Sequence, residues 1–131
     1  MQKSVSGRRF SPGARLSSFR YAFSGLTILF RDEHNAIIHF IILVFVIIAG
    51  IFFGVSKGDW IAISLSGAIV FASECFNTAI ENLSDIISGE KDIRIKKVKD
   101  LAAAGVLVSA LVAAIVGLII FVPEILELFE M

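Results

Sequence analysis

The chain has 131 residues, 56% of them hydrophobic and 18% charged, with a mean hydropathy of +0.86. A water-soluble fold this small cannot hide that much apolar surface, so the composition excludes an ordinary soluble domain and points to one integral-membrane domain. Basic and acidic residues balance at 12 each but are segregated along the chain, and the single cysteine, Cys75, excludes an intrachain disulfide framework or a multi-cysteine metal site.

Residues 1–14 are polar, basic and bear Gly and Ser, and they read as a flexible arm. This start leads into an amphipathic stretch, which is not the pattern of a secretory signal peptide. From Arg15 to Arg31, residues Leu16, Phe19, Phe23, Leu26 and Phe30 recur at helical steps. With Arg15, Arg20 and Arg31 beside them, segment 15–31 is expected to form a helix lying on an anionic membrane surface. "RDEH" then breaks the pattern, and "AIIHFIILVFVIIAGIFFGV" (36–55) has the length of a first span. "SKGDW" reads as a short turn with Trp60 at the membrane interface.

The next apolar run, Ile61 to Ala72, is too short to span alone. The second membrane helix, 60–87, therefore has to take Glu74 and Asn77 to membrane depth and project its end into water. The third span, 100–122, is expected to stop at Pro123. Its small residues, among them Ala102, Gly105, Ser109, Ala113 and Gly117, permit close helix contacts. Basic residues crowd the N-terminal segment and the stretch Lys91, Arg94, Lys96, Lys97 and Lys99, whereas the first connector has only Lys57. By the positive-inside rule the N-terminus and the 90–100 loop are cytoplasmic, and the Lys57 turn and the C-terminus are outside.

Within "ASECFNTAIENLSD" (72–85), Glu74, Asn77, Glu81 and Asp85 fall on one helical stripe about 80° wide. Glu74 lies about 21 Å from Trp60 along the helix, in the inner leaflet, and Glu81 and Asp85 lie at or beyond the cytoplasmic boundary. One reading of such a stripe is structural, with Glu74 and Asn77 fixing helix packing. The other is functional, because unpaired intramembrane carboxylates are costly. Carboxylates without cysteine suit a hard cation, Mg²⁺ above all, and a further carboxylate in a partly apolar setting suits a general base. With the basic loop for phosphates, these are the parts for phosphoryl transfer. Neither G-x-x-x-x-G-K-[ST] nor a G-x-G-x-x-G loop occurs, so any kinase here uses neither standard phosphate loop.

"ECFNTAIENLSD" resembles the signature of the small bacterial membrane lipid kinases, the diacylglycerol kinase and undecaprenol kinase family. Their pattern E-x-x-N-[ST]-A-I-E-x-x-x-D is met at every fixed position. "FRYAFSGLTILFRDEHNAIIH" resembles the family's amphipathic helix and first-span entry, and "KVKDLAAAGVLVSALVAAIVGLIIFVPEI" its third span. The resemblance implies an all-α integral membrane fold, a surface helix plus three transmembrane helices, in a homotrimer with shared active sites in a bacterial cytoplasmic membrane. It implies MgATP as phosphoryl donor, a membrane lipid alcohol as acceptor and no nucleic-acid partner. Glu74 would be the general base and Asn77 would position groups beside it. Glu33 and Glu81 would hold Mg²⁺. Asp85, Lys99 and Asp100 would engage the nucleotide, with Tyr21 near the adenosine and Glu90, Lys91 and Asp92 lining its pocket.

The family often has a histidine before its Lys-Asp pair, where this chain reads "GEKDIRIKKVKD", and Ala14 falls near the family's N-terminal arginine contact. "EHNAIIH" resembles the undecaprenol kinase branch, so undecaprenol is the expected acceptor, with diacylglycerol as the alternative. On its own, His39 reads as a neutral histidine hydrogen-bonded inside the first span, and Cys75 as a small buried residue. The competing class is a non-enzymatic assembly or ion-conducting protein. A conductor needs polar residues across the whole bilayer, and "IAISLSGAIV" offers only Ser64 and Ser66.

Overall fold

Local signals set the ends of four helices in the computed structural model, which describes residues 12–87 and 92–130. They are α1 (Pro12–Asp32), α2 (His34–Phe53), α3 (Lys57–Ile87) and α4 (Ile93–Glu130). The last three are each long and apolar enough to cross a membrane. Only Glu33 separates α1 from α2, in extended backbone (φ −112°, ψ 108°) with its side chain unused as a cap. Its N–H still donates to the Leu29 carbonyl at 3.0 Å, so the chain turns within one residue. α2 stops at Gly54, whose φ of +67° is the left-handed conformation that glycine adopts without a Cβ clash.

Two helix starts differ from expectation. "SKGDW" is not a separate turn, because the Asp59 carboxylate accepts the Ser56 N–H at 3.0 Å and the Asp59 N–H donates to Ser56 Oγ at 3.3 Å. This reciprocal cap starts α3 at Lys57 rather than at 60. The third apolar helix starts at Ile93 rather than at 100, because Asp92 Oδ1 accepts the Arg94 N–H at 2.8 Å.

The expected stop at Pro123 does not occur; α4 runs through it to Glu130. A proline removes one helical hydrogen bond, whereas ending the helix in an apolar setting would free several backbone groups. Continuing the helix is therefore the less costly solution.

α3 packs chiefly along α4, α2 lies against α3, and α1 touches both α2 and α3. At the end bearing the α2–α3 turn, Val55, Ile63 and Ile120 form a buried cluster flanked by Phe53, Trp60 and Phe121. Trp60 lies over Gly50, where a Cβ would meet the indole at 2.9 Å. At the opposite end the Phe30 ring packs on Phe40 and Phe71, with centroids 5.5 and 5.9 Å away, and Leu29 and Ala36 are buried. That anchors α1 by its C-terminal turn, while Leu16, Phe19 and Phe23 of its apolar stripe remain exposed in the single chain. The outward faces of α2 and α4 are apolar as well, with Phe45, Ile51 and Leu118 largely exposed. Water would not tolerate such a surface, but hydrocarbon does.

Candidate active site

Three serine hydroxyls on the membrane helices are satisfied locally. Ser66 Oγ donates to the Ile63 carbonyl at 3.1 Å, Ser73 Oγ to Ile69 at 2.9 Å and Ser109 Oγ to Val106 at 2.8 Å. Such back-bonding uses each hydroxyl's single O–H donor. The middle of α3 differs. Glu74 is 1% exposed, Asn77 and Thr78 are also buried, and Glu74 Oε1, Asn77 Oδ1 and Thr78 Oγ1 have no hydrogen-bond partner. Polar groups at this depth are ordinarily paired, so three orphaned oxygens within five residues mark this stretch of α3 as a candidate site.

Helical pitch places Asn77 one turn from Glu81, and the Asn77 Nδ2–H donates to Glu81 Oε1 at 3.1 Å. That bond turns the amide so that its Oδ1 is the unpaired atom. From α2, His39 Nε2 comes to 3.3 Å from Glu74 Oε1, close but outside hydrogen-bond alignment. Glu33, at the α1–α2 junction, and Glu81 both lie near enough for their charges to act on Glu74. Two helices and a junction thus bring three carboxylates, an amide oxygen and an imidazole together.

One turn further along α3, Asp85 Oδ1 accepts a hydrogen bond from Lys99 Nζ of α4 at 2.8 Å. This pair is partly open, unlike Glu74. Asp100 instead turns to Lys96 on its own helix, with Nζ 2.6 Å from Oδ2. Asp92 caps α4 and pairs with Arg94 Nη2 at 2.8 Å, and that hydrogen-bonded guanidinium holds the Asp92 carboxyl below the usual carboxylate range. The carboxylates of Asp92 and Asp100 are therefore engaged on α4 itself. Tyr21 is exposed on α1. Glu90 and Lys91 lie outside the described residues.

Sequence reasoning did not anticipate His39 beside Glu74 or the orphaned Thr78 hydroxyl. The signal for Thr78 was its place next to Asn77 in the motif; for His39 it was a lone polar side chain in an apolar run. Among the described residues no group of three or more His, Cys, Asp or Glu could hold a metal ion by itself. Mg²⁺ does not demand one, since it takes one or two carboxylates and completes its shell with water and phosphate oxygens. Glu33 and Glu81 offer oxygen donors of the kind Mg²⁺ takes; Glu33 makes no cap hydrogen bond, and Glu81 has one oxygen engaged by Asn77.

Residues 20–121 match the family described as prokaryotic diacylglycerol kinase. The chain belongs to this family. Among curated relatives, it is 34% identical over 114 residues to a diacylglycerol kinase of Synechocystis sp., covering 86% of this chain and 65% of that protein. It is 36% identical over 107 residues to an undecaprenol kinase of Bacillus subtilis, covering 82% of this chain and 87% of that protein. No solved structure matches the chain. As a member of the diacylglycerol kinase family, it is a lipid kinase and a bacterial membrane protein, and a kinase draws its phosphoryl group from a nucleotide. Membership sets aside the non-enzymatic alternatives.

Proposed function

We propose that this chain phosphorylates undecaprenol to undecaprenyl phosphate with MgATP, at the cytoplasmic face of a bacterial inner membrane. The observation that carries the reading is the buried Glu74, with an orphaned oxygen, on a stripe that leads along α3 to the open Asp85–Lys99 pair. A site with one buried end and one open end suits a reaction between a lipid and a water-soluble donor. The "EHNAIIH" segment and the Bacillus relative, 87% of whose length the chain covers, support undecaprenol over diacylglycerol as acceptor.

In this reading Glu74 accepts the proton of the lipid hydroxyl while that oxygen bonds to the γ-phosphorus. The bond from that phosphorus to the bridging oxygen breaks, and ADP leaves. Asn77 presents its free Oδ1 beside the reacting groups. Lys99 and Asp85 bind the nucleotide, joined by Asp100, Tyr21 and the 90–92 segment. Glu33 and Glu81 would hold Mg²⁺, which neutralises charge on the transferring phosphate. α1 lies on the cytoplasmic surface, the C-terminus is outside, and three copies assemble with sites shared between subunits.

Transfer of labelled phosphate from MgATP, by protein reconstituted in bilayers holding either undecaprenol or diacylglycerol, tests this. Undecaprenol is expected as the preferred acceptor, with Glu74→Gln lowering kcat by about 10²–10⁴-fold. Preference for diacylglycerol would transfer the assignment to that lipid. Full activity of Glu74→Gln would remove Glu74 as the base.

A further inference from the structure

A cavity of about 280 Å³ opens between α2, α3 and α4, walled by Leu43, Val46, Gly67, Phe71, Ala113 and Gly117. Its lining is almost wholly apolar, and its one ionisable member is His39. The same imidazole stands 3.3 Å from the buried Glu74 carboxylate. His39 therefore forms the boundary between the polar site and an apolar space running deeper along α2, past Leu43 and Val46. Small residues at Gly67, Ala113 and Gly117 keep that space open, since larger side chains there would fill it.

We propose that His39 is a positioning and specificity-determining residue and that the cavity beside it receives the apolar segment adjoining the acceptor lipid's hydroxyl. The inference rests on the lipid-kinase reading with Glu74 as base. A small rotation of the imidazole aligns its Nε2–H with Glu74 Oε1. That contact leaves the other carboxylate oxygen for the hydroxyl proton. A lipid hydroxyl brought to Glu74 has its first carbons at the His39 ring, and the adjoining cavity is the apolar space that receives them. Continuity with the buried base is what selects a lipid tail, rather than a helix of another copy, as the occupant.

The test uses the full chain reconstituted in bilayers, with undecaprenol and diacylglycerol as separate acceptors and MgATP binding measured in parallel. His39→Ala is expected to lower kcat about 10- to 100-fold, the worth of one hydrogen bond to a charged group, while MgATP binding is unchanged. His39→Gln, which restores an N–H donor, should recover most of that loss. Ala113→Phe, which fills the cavity, should raise the KM for lipid about tenfold or more and leave MgATP binding intact. Wild-type kcat in His39→Ala, or no recovery in His39→Gln despite normal MgATP binding, overturns the role of His39. An unchanged lipid KM in Ala113→Phe, with or without an altered oligomeric state, overturns the assignment of the cavity. Glu74→Gln separates the two levels: if it stays active the catalytic reading itself fails, and if it is inactive while His39→Ala is normal only the present inference fails.

Discussion

At the scale of single residues, the deciding contrast is between hydroxyls that bond to their own helix and oxygens that bond to nothing. Ser66, Ser73 and Ser109 are satisfied locally, whereas Glu74, Asn77 and Thr78 each carry an unpaired buried oxygen. An unmade buried hydrogen bond costs about 1–3 kcal/mol, so three together weigh heavily on a small chain unless a ligand or a turned neighbouring side chain satisfies them. The open end of the stripe makes a different prediction. Lys99 is the α4 cation that meets Asp85, and Lys99→Met should weaken MgATP binding about tenfold or more, read by nucleotide titration, with little change in lipid KM. An unchanged nucleotide affinity would take Lys99 out of the site. The stripe itself was legible because Glu74, Asn77, Glu81 and Asp85 follow helical spacing. That His39 faces it was not, because the rotation of α2 about its axis depends on packing.

At the scale of elements, helix ends were the least legible feature. The reciprocal bonds of Ser56 and Asp59 begin α3 inside the segment expected to be a turn, and Asp92 begins α4 well before its apolar run. Both are short polar signals that hydropathy does not register. Pro123 shows the converse: a strong sequence signal overruled by the cost of unpaired backbone groups. The close approach of Trp60 to Gly50 holds the α2–α3 turn against the end of the bundle. Gly50→Val should therefore destabilise the protein by about 1–3 kcal/mol, measured as a lowered midpoint of unfolding in detergent. Gly105→Ala, where nothing lies within 4 Å of the added Cβ, is the control and should leave the midpoint unchanged or slightly raised. Equal effects at the two positions would deny the Trp60 contact its role.

At the scale of the whole molecule, charge segregation makes the proposed topology testable. With Cys75 replaced by Ser, Lys57→Cys should react with a membrane-impermeant maleimide in intact cells, and Lys97→Cys only after permeabilisation; the reverse pattern would invert the orientation. Shared sites have their own test. Glu74→Gln and Lys99→Met chains, each impaired alone at an MgATP concentration below the wild-type KM, should regain part of the lost activity when co-assembled, and no recovery would mean that every site is built within one chain. Composition, periodicity and charge determined by themselves that this is an all-helical chain with three helices long and apolar enough to cross a membrane. They also determined that α3 carries a polar stripe; the likeness to lipid kinases came separately, from the residues of its motif. These are properties of one helix at a time, fixed by spacing along the chain and by the cost of moving side chains out of water. Only the tertiary structure decided that His39 meets Glu74, that Lys99 reaches Asp85 while Asp100 turns to Lys96, and that an apolar cavity adjoins the buried carboxylate. Those facts depend on how helices are rotated and packed against one another, and no single segment carries that information.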